Sequence, residues 1–158
     1  MGYDFNVDEI FEMAEQVERN GAKFYREAAG NIDDEDAKKL LSEFAVMEDE
    51  HEKTFAALRS ELKDGDKQST VFDPEGESAL YLRALADTRV FFKKEIDTTS
   101  LKEILKAALT AEKDSIVFYL GMKDLVPEKL GKDKIDNIIK EEMGHIKLIG
   151  GKLKAFKA

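Results

Sequence analysis

An internal repeat constrains how the two halves of this sequence can fold. Its only two histidines, His51 and His145, lie 94 residues apart, and each follows a glutamate by three positions. Four further pairs of identical residues are separated by the same 94 positions: Glu18 and Glu112, Phe24 and Phe118, Tyr25 and Tyr119, and Glu48 and Glu142. Both halves also keep 30 residues between the single glutamate and the Glu-x-x-His pair. The economical interpretation is two similar units related by a pseudo-twofold axis.

Four segments carry apolar residues at helical spacing, two in each half. The first ends near Gly30 and the second runs from Asp34 to about Leu62, while the third has a serine cap and the fourth follows Gly131 and runs to about Phe156. Short links within each half imply antiparallel hairpins. We therefore predict an all-α, antiparallel four-helix bundle in one domain, 1–158, with hairpin 1 (about 6–62), a long crossover between helices 2 and 3 (about 63–99) and hairpin 2 (about 100–156).

Both Glu-x-x-His pairs lie within the apolar stripes of their helices. Phe44 and Phe55 flank the first pair, and Ile138 and Ile149 flank the second. Since a helix rises about 1.5 Å per residue, the single glutamate of each hairpin comes level with the pair on the neighbouring helix. Four glutamates and two histidines are therefore expected at one depth of the core, where buried charges need compensation.

This set of residues favours a pair of metal ions. Four ionised carboxylates in one dry site would repel one another, whereas two divalent cations balance them and leave both imidazoles neutral. Carboxylate with imidazole suits two iron ions, and manganese is the alternative. The glutamates of the two Glu-x-x-His pairs could bridge the ions, with one further glutamate on each ion. The predicted metal ligands are Glu18, Glu48, His51, Glu112, Glu142 and His145; no catalytic residue is assigned.

Several residues near these ligands admit two interpretations. Tyr25 and Tyr119 stand two helical turns after their glutamates, either as core aromatics whose hydroxyls need a partner or as donors that orient a ligand carboxylate. Three acids lie one step out of register and are interpreted as solvated or outer residues: Glu15, Glu50 and Glu141. The ligand glutamates themselves would be ordinary surface residues if their apolar neighbours were not core.

At these residues the chain resembles the ferritin-like superfamily and, within it, the rubrerythrin-like group. The resemblance covers roughly 6–62 and 100–156. It implies a ferritin-like bundle and a non-haem dinuclear iron oxidoreductase that reduces peroxide or dioxygen with electrons from an external donor protein. Full-length rubrerythrins resemble this helical part but add a domain with cysteine-bound iron, and these 158 residues contain no cysteine. The extra glutamate that rubrerythrins carry on the third helix corresponds to Ser115 here, and the fifth helix of storage ferritins has no counterpart.

Other functions fit the same scaffold. A ferroxidase or iron-binding protein without catalytic turnover is the first alternative, and a di-manganese catalase or a di-iron oxygenase is the second. A metal-free structural or dimerisation bundle is the last, and it predicts that replacing all six polar core residues with leucine or glutamine would stabilise the fold without any other loss.

The charge and hydropathy of the chain exclude some classes of binding partner. A net charge of −9 argues against nucleic acid, and no apolar run is long enough to cross a bilayer. The acidic start of the chain has no apolar segment typical of a secretory signal, so a cytoplasmic protein is expected.

The crossover carries more apolar residues than a simple connecting segment needs, which predicts that it packs over one edge of the bundle and takes part in a homodimer. These residues are Tyr81, Leu82, Leu85, Val90, Phe91 and Phe92.

Overall fold

The computed structural model of the protein describes residues 7–65, 80–82, 84 and 100–156. Helices α1 (Val7–Asn31) and α2 (Glu35–Ser60) form one hairpin; α3 (Leu101–Leu125), a 3₁₀ turn (Glu128–Leu130) and α4 (Lys132–Ala155) form the other. No strand occurs within these described ranges. The predicted all-α bundle is confirmed, and the predicted helix ends differ from the observed ones by no more than about two residues, which is the ordinary uncertainty of helix boundaries.

Side-chain caps set where two of the helices begin. The carboxylate of Asp34 accepts a hydrogen bond from the backbone N–H of Ala37 at 2.8 Å, and the hydroxyl of Ser100 accepts one from Glu103 at 3.3 Å. Each cap satisfies a backbone donor that the first helical turn leaves unpaired. The local sequence therefore defines where α2 and α3 begin.

The apolar core consists of two clusters, one toward each end of the bundle. The first joins the beginning of α1 and α4 to the end of α2 and α3, and includes Phe11, Phe55, Met122 and Ile135. The second joins the opposite ends of the same helices and includes Ile32, Phe44, Ile104 and Ile149. Between them, each of the four helices contributes polar side chains to one buried layer.

Gly131 makes the turn between the two helices of the second hairpin. Its φ of 110° lies in the left-handed region, which side-chain-bearing residues rarely adopt. A Cβ atom at this position would lie only 2.6 Å from Cδ2 of Leu58 on α2. Gly131 therefore sets both the entry of the chain into α4 and its close approach to the first hairpin.

Gly131→Ala is expected to lower the free energy of unfolding by about 1–3 kcal/mol, because it combines the left-handed backbone with a steric clash. Gly150→Ala is the matched control, since a Cβ there meets no heavy atom within 4 Å and alanine favours a helix by about 0.5–1 kcal/mol. Urea denaturation of both variants gives the comparison. Equal stability of Gly131→Ala and the parent protein would contradict the role assigned to this glycine.

The described part of the crossover packs on α3. Residues 80–82 and 84 are helical, and Leu82 is buried in the first apolar cluster, within 3.1 Å of where a Cβ of Gly121 would lie. Leu85, Val90, Phe91 and Phe92 lie outside the described residues, and the homodimer stays a prediction. Among the described helices, none combines the length and apolarity needed to cross a membrane.

Candidate metal centre

Six polar side chains meet at mid-height in the bundle, between the two apolar clusters. One comes from α1, one from α3, and two from each of α2 and α4. Their exposed fractions lie between 0% and 3%, which acids show rarely unless something compensates their charge. They are Glu18 on α1, Glu48 and His51 on α2, Glu112 on α3, and Glu142 and His145 on α4.

The cluster divides into two overlapping groups of four residues. Glu48 and Glu142 belong to both groups; Glu18 and His51 complete one, and Glu112 and His145 complete the other. Within each group, one potential ligand atom from every residue lies within 4.8 Å of the others. From the sequence, Glu48 and Glu142 are expected to be shared and Glu18 and Glu112 to serve one position each, whereas the histidines are not assigned to positions; the ligand roles themselves stay a prediction.

Each imidazole turns its Nδ1 atom toward the carboxylates. Nδ1 of His51 lies 3.1 Å from Oε1 of Glu142 and 3.4 Å from Oε2 of Glu18. Nδ1 of His145 lies 3.2 Å from Oε2 of Glu142 and 3.3 Å from Oε1 of Glu112. The two oxygens of Glu142 therefore face different imidazoles, which is the arrangement that a carboxylate shared by two ions requires.

Two tyrosines connect the hairpins across this cluster. The hydroxyl of Tyr25 on α1 donates to Oε1 of Glu112 on α3, and the hydroxyl of Tyr119 on α3 donates to Oε1 of Glu18 on α1. Burial raises the pKa of both phenols well above its usual value, so both remain O–H donors. Each tyrosine thus holds one oxygen of a glutamate on the opposite hairpin, and the other oxygen of that glutamate is buried without a hydrogen bond. Oε1 of Glu112 is contacted by both Tyr25 and Nδ1 of His145. Their function as supports for metal ligands stays a prediction.

The inward-facing atoms test whether a metal pair fits. Within the described residues, the buried side-chain atoms without a hydrogen bond all belong to the cluster: Oε2 of Glu18, Oε1 of Glu48, Nδ1 of His51, Oε2 of Glu112 and both carboxylate oxygens of Glu142. A buried polar group left in this way costs about 1–3 kcal/mol, and a charged one more. Oxygen donors with imidazole nitrogen suit divalent iron or manganese. The residues present therefore fit two such ions.

Without metal, the glutamates repel one another and take up protons. Burial raises the pKa of Glu18 and Glu48 well above the usual carboxyl range, and the negative charges of Glu142 and Glu112 raise both further. Burial, together with the contact to Glu142, raises the pKa of Glu112 to about 8. Glu142 behaves in the opposite way: burial would raise its pKa, but its contacts to Glu112 and both imidazoles lower it below the usual value. Glu142 is thus the carboxylate that remains charged.

The imidazoles also hold protons in the metal-free protein. Burial by itself would lower the pKa of each ring, but the adjacent glutamates outweigh burial and raise the pKa of His51 to about 9 and that of His145 to about 10. A metal ion needs the neutral imidazole and the ionised carboxylate. Metal binding at neutral pH must therefore release protons from both residue types.

The outer nitrogens of the two histidines meet different partners. Nε2 of His51 lies 2.5 Å from Oε2 of Glu141, whereas Nε2 of His145 lies 3.2 Å from Sδ of Met47. From the sequence, Glu141 is interpreted as solvated or as lying just outside the ligands. The structure places its carboxylate in contact with His51, a predicted metal ligand. The contact of Met47 with His145 was not predicted from the sequence, although the 94-residue offset pairs position 47 with position 141 and could have indicated it.

Three further residues named from the sequence lie outside the cluster. Glu15 is buried rather than solvated and forms a salt bridge with Arg59 at 3.0 Å. Glu50 is exposed and forms a salt bridge with Lys53 at 3.2 Å, so it belongs to the helix surface. Ser115 is buried one turn after Glu112, but its hydroxyl donates to the carbonyl of Ala111 in its own helix.

Comparison with known proteins agrees with this geometry. A family model described as Rubrerythrin matches residues 9–153. A crystal structure from Thermotoga maritima, described as that of a ferritin-like diiron-carboxylate protein, matches 98% of this chain and 98% of its own with a TM-score of 0.71 and 23% sequence identity. That similarity confirms the ferritin-like fold predicted from the sequence. No curated protein matches the sequence.

Proposed function

The chain belongs to the rubrerythrin family, and from this premise we propose that it is a non-haem dinuclear iron oxidoreductase that reduces peroxide or dioxygen. The family resemblance predicted from the repeated Glu-x-x-His pairs is thereby confirmed. The observation that carries the proposal is the pair of overlapping ligand groups that share Glu48 and Glu142 in the bundle core. Two adjacent redox-active ions suit a reaction that transfers electrons in pairs.

A bound pair of ferrous ions would supply the two electrons that reduction of peroxide to water requires. The protein would hold the ions close together, since the shared carboxylates of Glu48 and Glu142 reach both positions. Glu18 and Glu112 would each bind one ion through the oxygen that no tyrosine holds. Manganese would fit the same donor atoms, and iron is the metal that we propose.

The surrounding side chains exclude water and fix the ligands. The ring of Phe44 lies 4.8 Å from that of His145, and the ring of Phe55 lies 5.4 Å from that of Tyr119, with both phenylalanines buried. These apolar walls lower the local dielectric and strengthen the attraction between carboxylates and cations. The tyrosine hydroxyls hold two carboxylates in place, which limits reorganisation when the charge of the site changes.

Repeated turnover needs an electron source outside these residues. The 158 residues contain no cysteine, so they offer neither a thiol couple nor a cysteine-bound iron centre of their own. We therefore propose a separate electron-donor protein as the redox partner. Peroxide or dioxygen is the proposed electron acceptor.

Anaerobic stopped-flow mixing of the diferrous protein with hydrogen peroxide tests this function. We expect oxidation at least about 10-fold faster than that of free ferrous ions in the same buffer, since preorganised ligands bind the oxidised state. Glu50→Gln is the control, because it changes an exposed carboxylate on the same helix as Glu48. Oxidation no faster than in protein-free buffer would contradict the proposal.

Sizing, metal analysis and multiple-turnover assays separate the first alternative. With excess ferrous iron added, a storage protein would form a large shell that holds many ions per chain, visible by sizing and metal analysis, whereas an oxidoreductase would keep about two ions per chain and consume peroxide repeatedly when a reductant is supplied. Catalase activity of protein loaded with manganese alone would instead favour the di-manganese alternative.

A further inference from the structure

The six cluster residues obey the twofold repeat of the sequence, but the side chains that contact the Nε2 atoms of the two histidines do not. The repeat places Glu141 and Met47 at equivalent positions, one turn before His145 and His51 on their own helices. Each of them reaches across to the histidine of the opposite hairpin, and they differ fundamentally in what they offer to its outer nitrogen. One is a carboxylate and the other is a thioether.

A carboxylate and a thioether affect a ligand histidine in different ways. Nε2 of His51 lies 2.5 Å from the carboxylate of Glu141, which accepts a hydrogen bond from Nε2–H. In the neutral ring that binds metal, this contact keeps the proton on Nε2 and leaves the lone pair of Nδ1, the atom that faces the cluster carboxylates, free for the ion. Such a contact fixes the ring and increases its basicity toward metal. The thioether of Met47 is only a weak acceptor, so His145 gains much less from its contact.

We propose that Glu141 is a positioning residue that makes the two metal positions unequal. The position formed by Glu18 and His51, with the shared carboxylates, binds a divalent ion more tightly and fills first. The position formed by Glu112 and His145 fills second. This inference rests on the metal centre of the proposed function, but it concerns the order and strength of metal binding rather than the reaction.

The expected size of the effect follows from the setting of Glu141. Outer partners of metal-bound histidines typically change metal affinity by about 10–100-fold. The side chain of Glu141 is 51% exposed, whereas that of His51 is 4% exposed, so solvent screens part of the interaction. We therefore expect an effect near the lower end of that range, about 10-fold.

Titration with Co²⁺, which gives d–d absorption and does not react with peroxide as iron does, tests this proposal in the intact chain. Two binding phases are expected in the parent protein. Glu141→Gln should weaken the tighter phase about 10-fold and leave the weaker phase within about threefold. Met47→Glu should strengthen the weaker phase, and the exchange of both residues (Met47→Glu with Glu141→Met) should reverse which position fills first.

A double-mutant cycle assigns the effect to one histidine. In a His145→Asn background, Glu141→Gln should still weaken Co²⁺ binding about 10-fold; in a His51→Asn background it should change nothing. An equal change of both phases, or the same change in both backgrounds, would overturn the proposal. Absence of Co²⁺ binding would overturn it together with the metal centre, whereas two normal Co²⁺ phases with an iron form inert to peroxide would refute the proposed function alone.

Discussion

Glu142→Gln is expected to reduce bound ferrous iron from two ions per chain to less than about half an ion, under conditions that saturate the parent protein. Each oxygen of Glu142 faces a different imidazole Nδ1, at 3.1 Å and 3.2 Å. Glutamine keeps the shape of the side chain but removes the negative charge that both positions share. The loss should therefore affect both ions rather than one.

Anaerobic equilibrium dialysis followed by elemental analysis measures this loss. Glu50→Gln removes one carboxylate from the exposed face of α2 and should leave two ions bound. Circular dichroism of Glu142→Gln should retain the helical signal, since a neutral buried side chain is less costly than a charged one. Two ions in Glu142→Gln would show that this glutamate is not a shared ligand.

The second large effect is an inversion of the pH dependence of stability when metal is added. In the metal-free protein the pKa values of Glu112, His51 and His145 are raised, to about 8, 9 and 10. The folded state therefore binds more protons than the unfolded state, and its stability falls as pH rises between about 5 and 10. The contribution of Glu142, whose pKa is lowered, is already complete above the usual carboxyl pKa and adds no slope in this range.

Metal reverses this trend, because deprotonated ligands bind cations more strongly. Urea denaturation in chelator should lose at least about 1.4 kcal/mol from pH 5.5 to pH 8.5, the equivalent of one pKa unit on one group. With a divalent ion at about 100 times its dissociation constant, stability should rise by about 2.7 kcal/mol at the higher pH.

The double variant Glu18→Gln with Glu112→Gln is the control for surface charge. It keeps every exposed charge of the parent protein but removes two buried carboxyls, and each glutamine oxygen can still accept from its tyrosine. Its metal-free stability should depend less on pH, and metal should stabilise it little. Parallel pH curves with and without metal in the parent protein would contradict the assigned coupling.

The helices and the six cluster residues could be predicted from the sequence because both depend on local periodicity. Residues three apart on a helix share a face, and the short loops fix which helices are neighbours. The repeat then identified Glu18 and Glu112, which a single helix would not distinguish from surface acids. The cluster was therefore predictable from residues that are close in sequence or related by the 94-residue repeat.

Contacts between the hairpins could not be predicted in the same way. The sequence indicated that Tyr25 and Tyr119 could donate to a carboxylate, but not that each reaches the single glutamate of the opposite hairpin. That choice depends on how α1 packs against α3. The contact between Glu141 and His51 depends likewise on the approach of α2 to α4, and an exposed glutamate offers no periodic signal.

The requirement for glycine at position 131 could not be predicted from the sequence either. Glycine before a helix is compatible with several turns, and only the position of Leu58 on another hairpin shows why a side chain is excluded here. Tertiary packing therefore decides features that local sequence leaves open.

The most direct measurement is the crystal structure of the protein grown anaerobically with a ferrous salt, with anomalous scattering recorded at the iron edge. Two peaks about 3.5–4 Å apart are expected. One should lie among Glu18, Glu48, His51 and Glu142, and the other among Glu48, Glu112, Glu142 and His145. Absence of anomalous density among these side chains, with their carboxylates turned toward solvent, would contradict the metal centre and the function built on it.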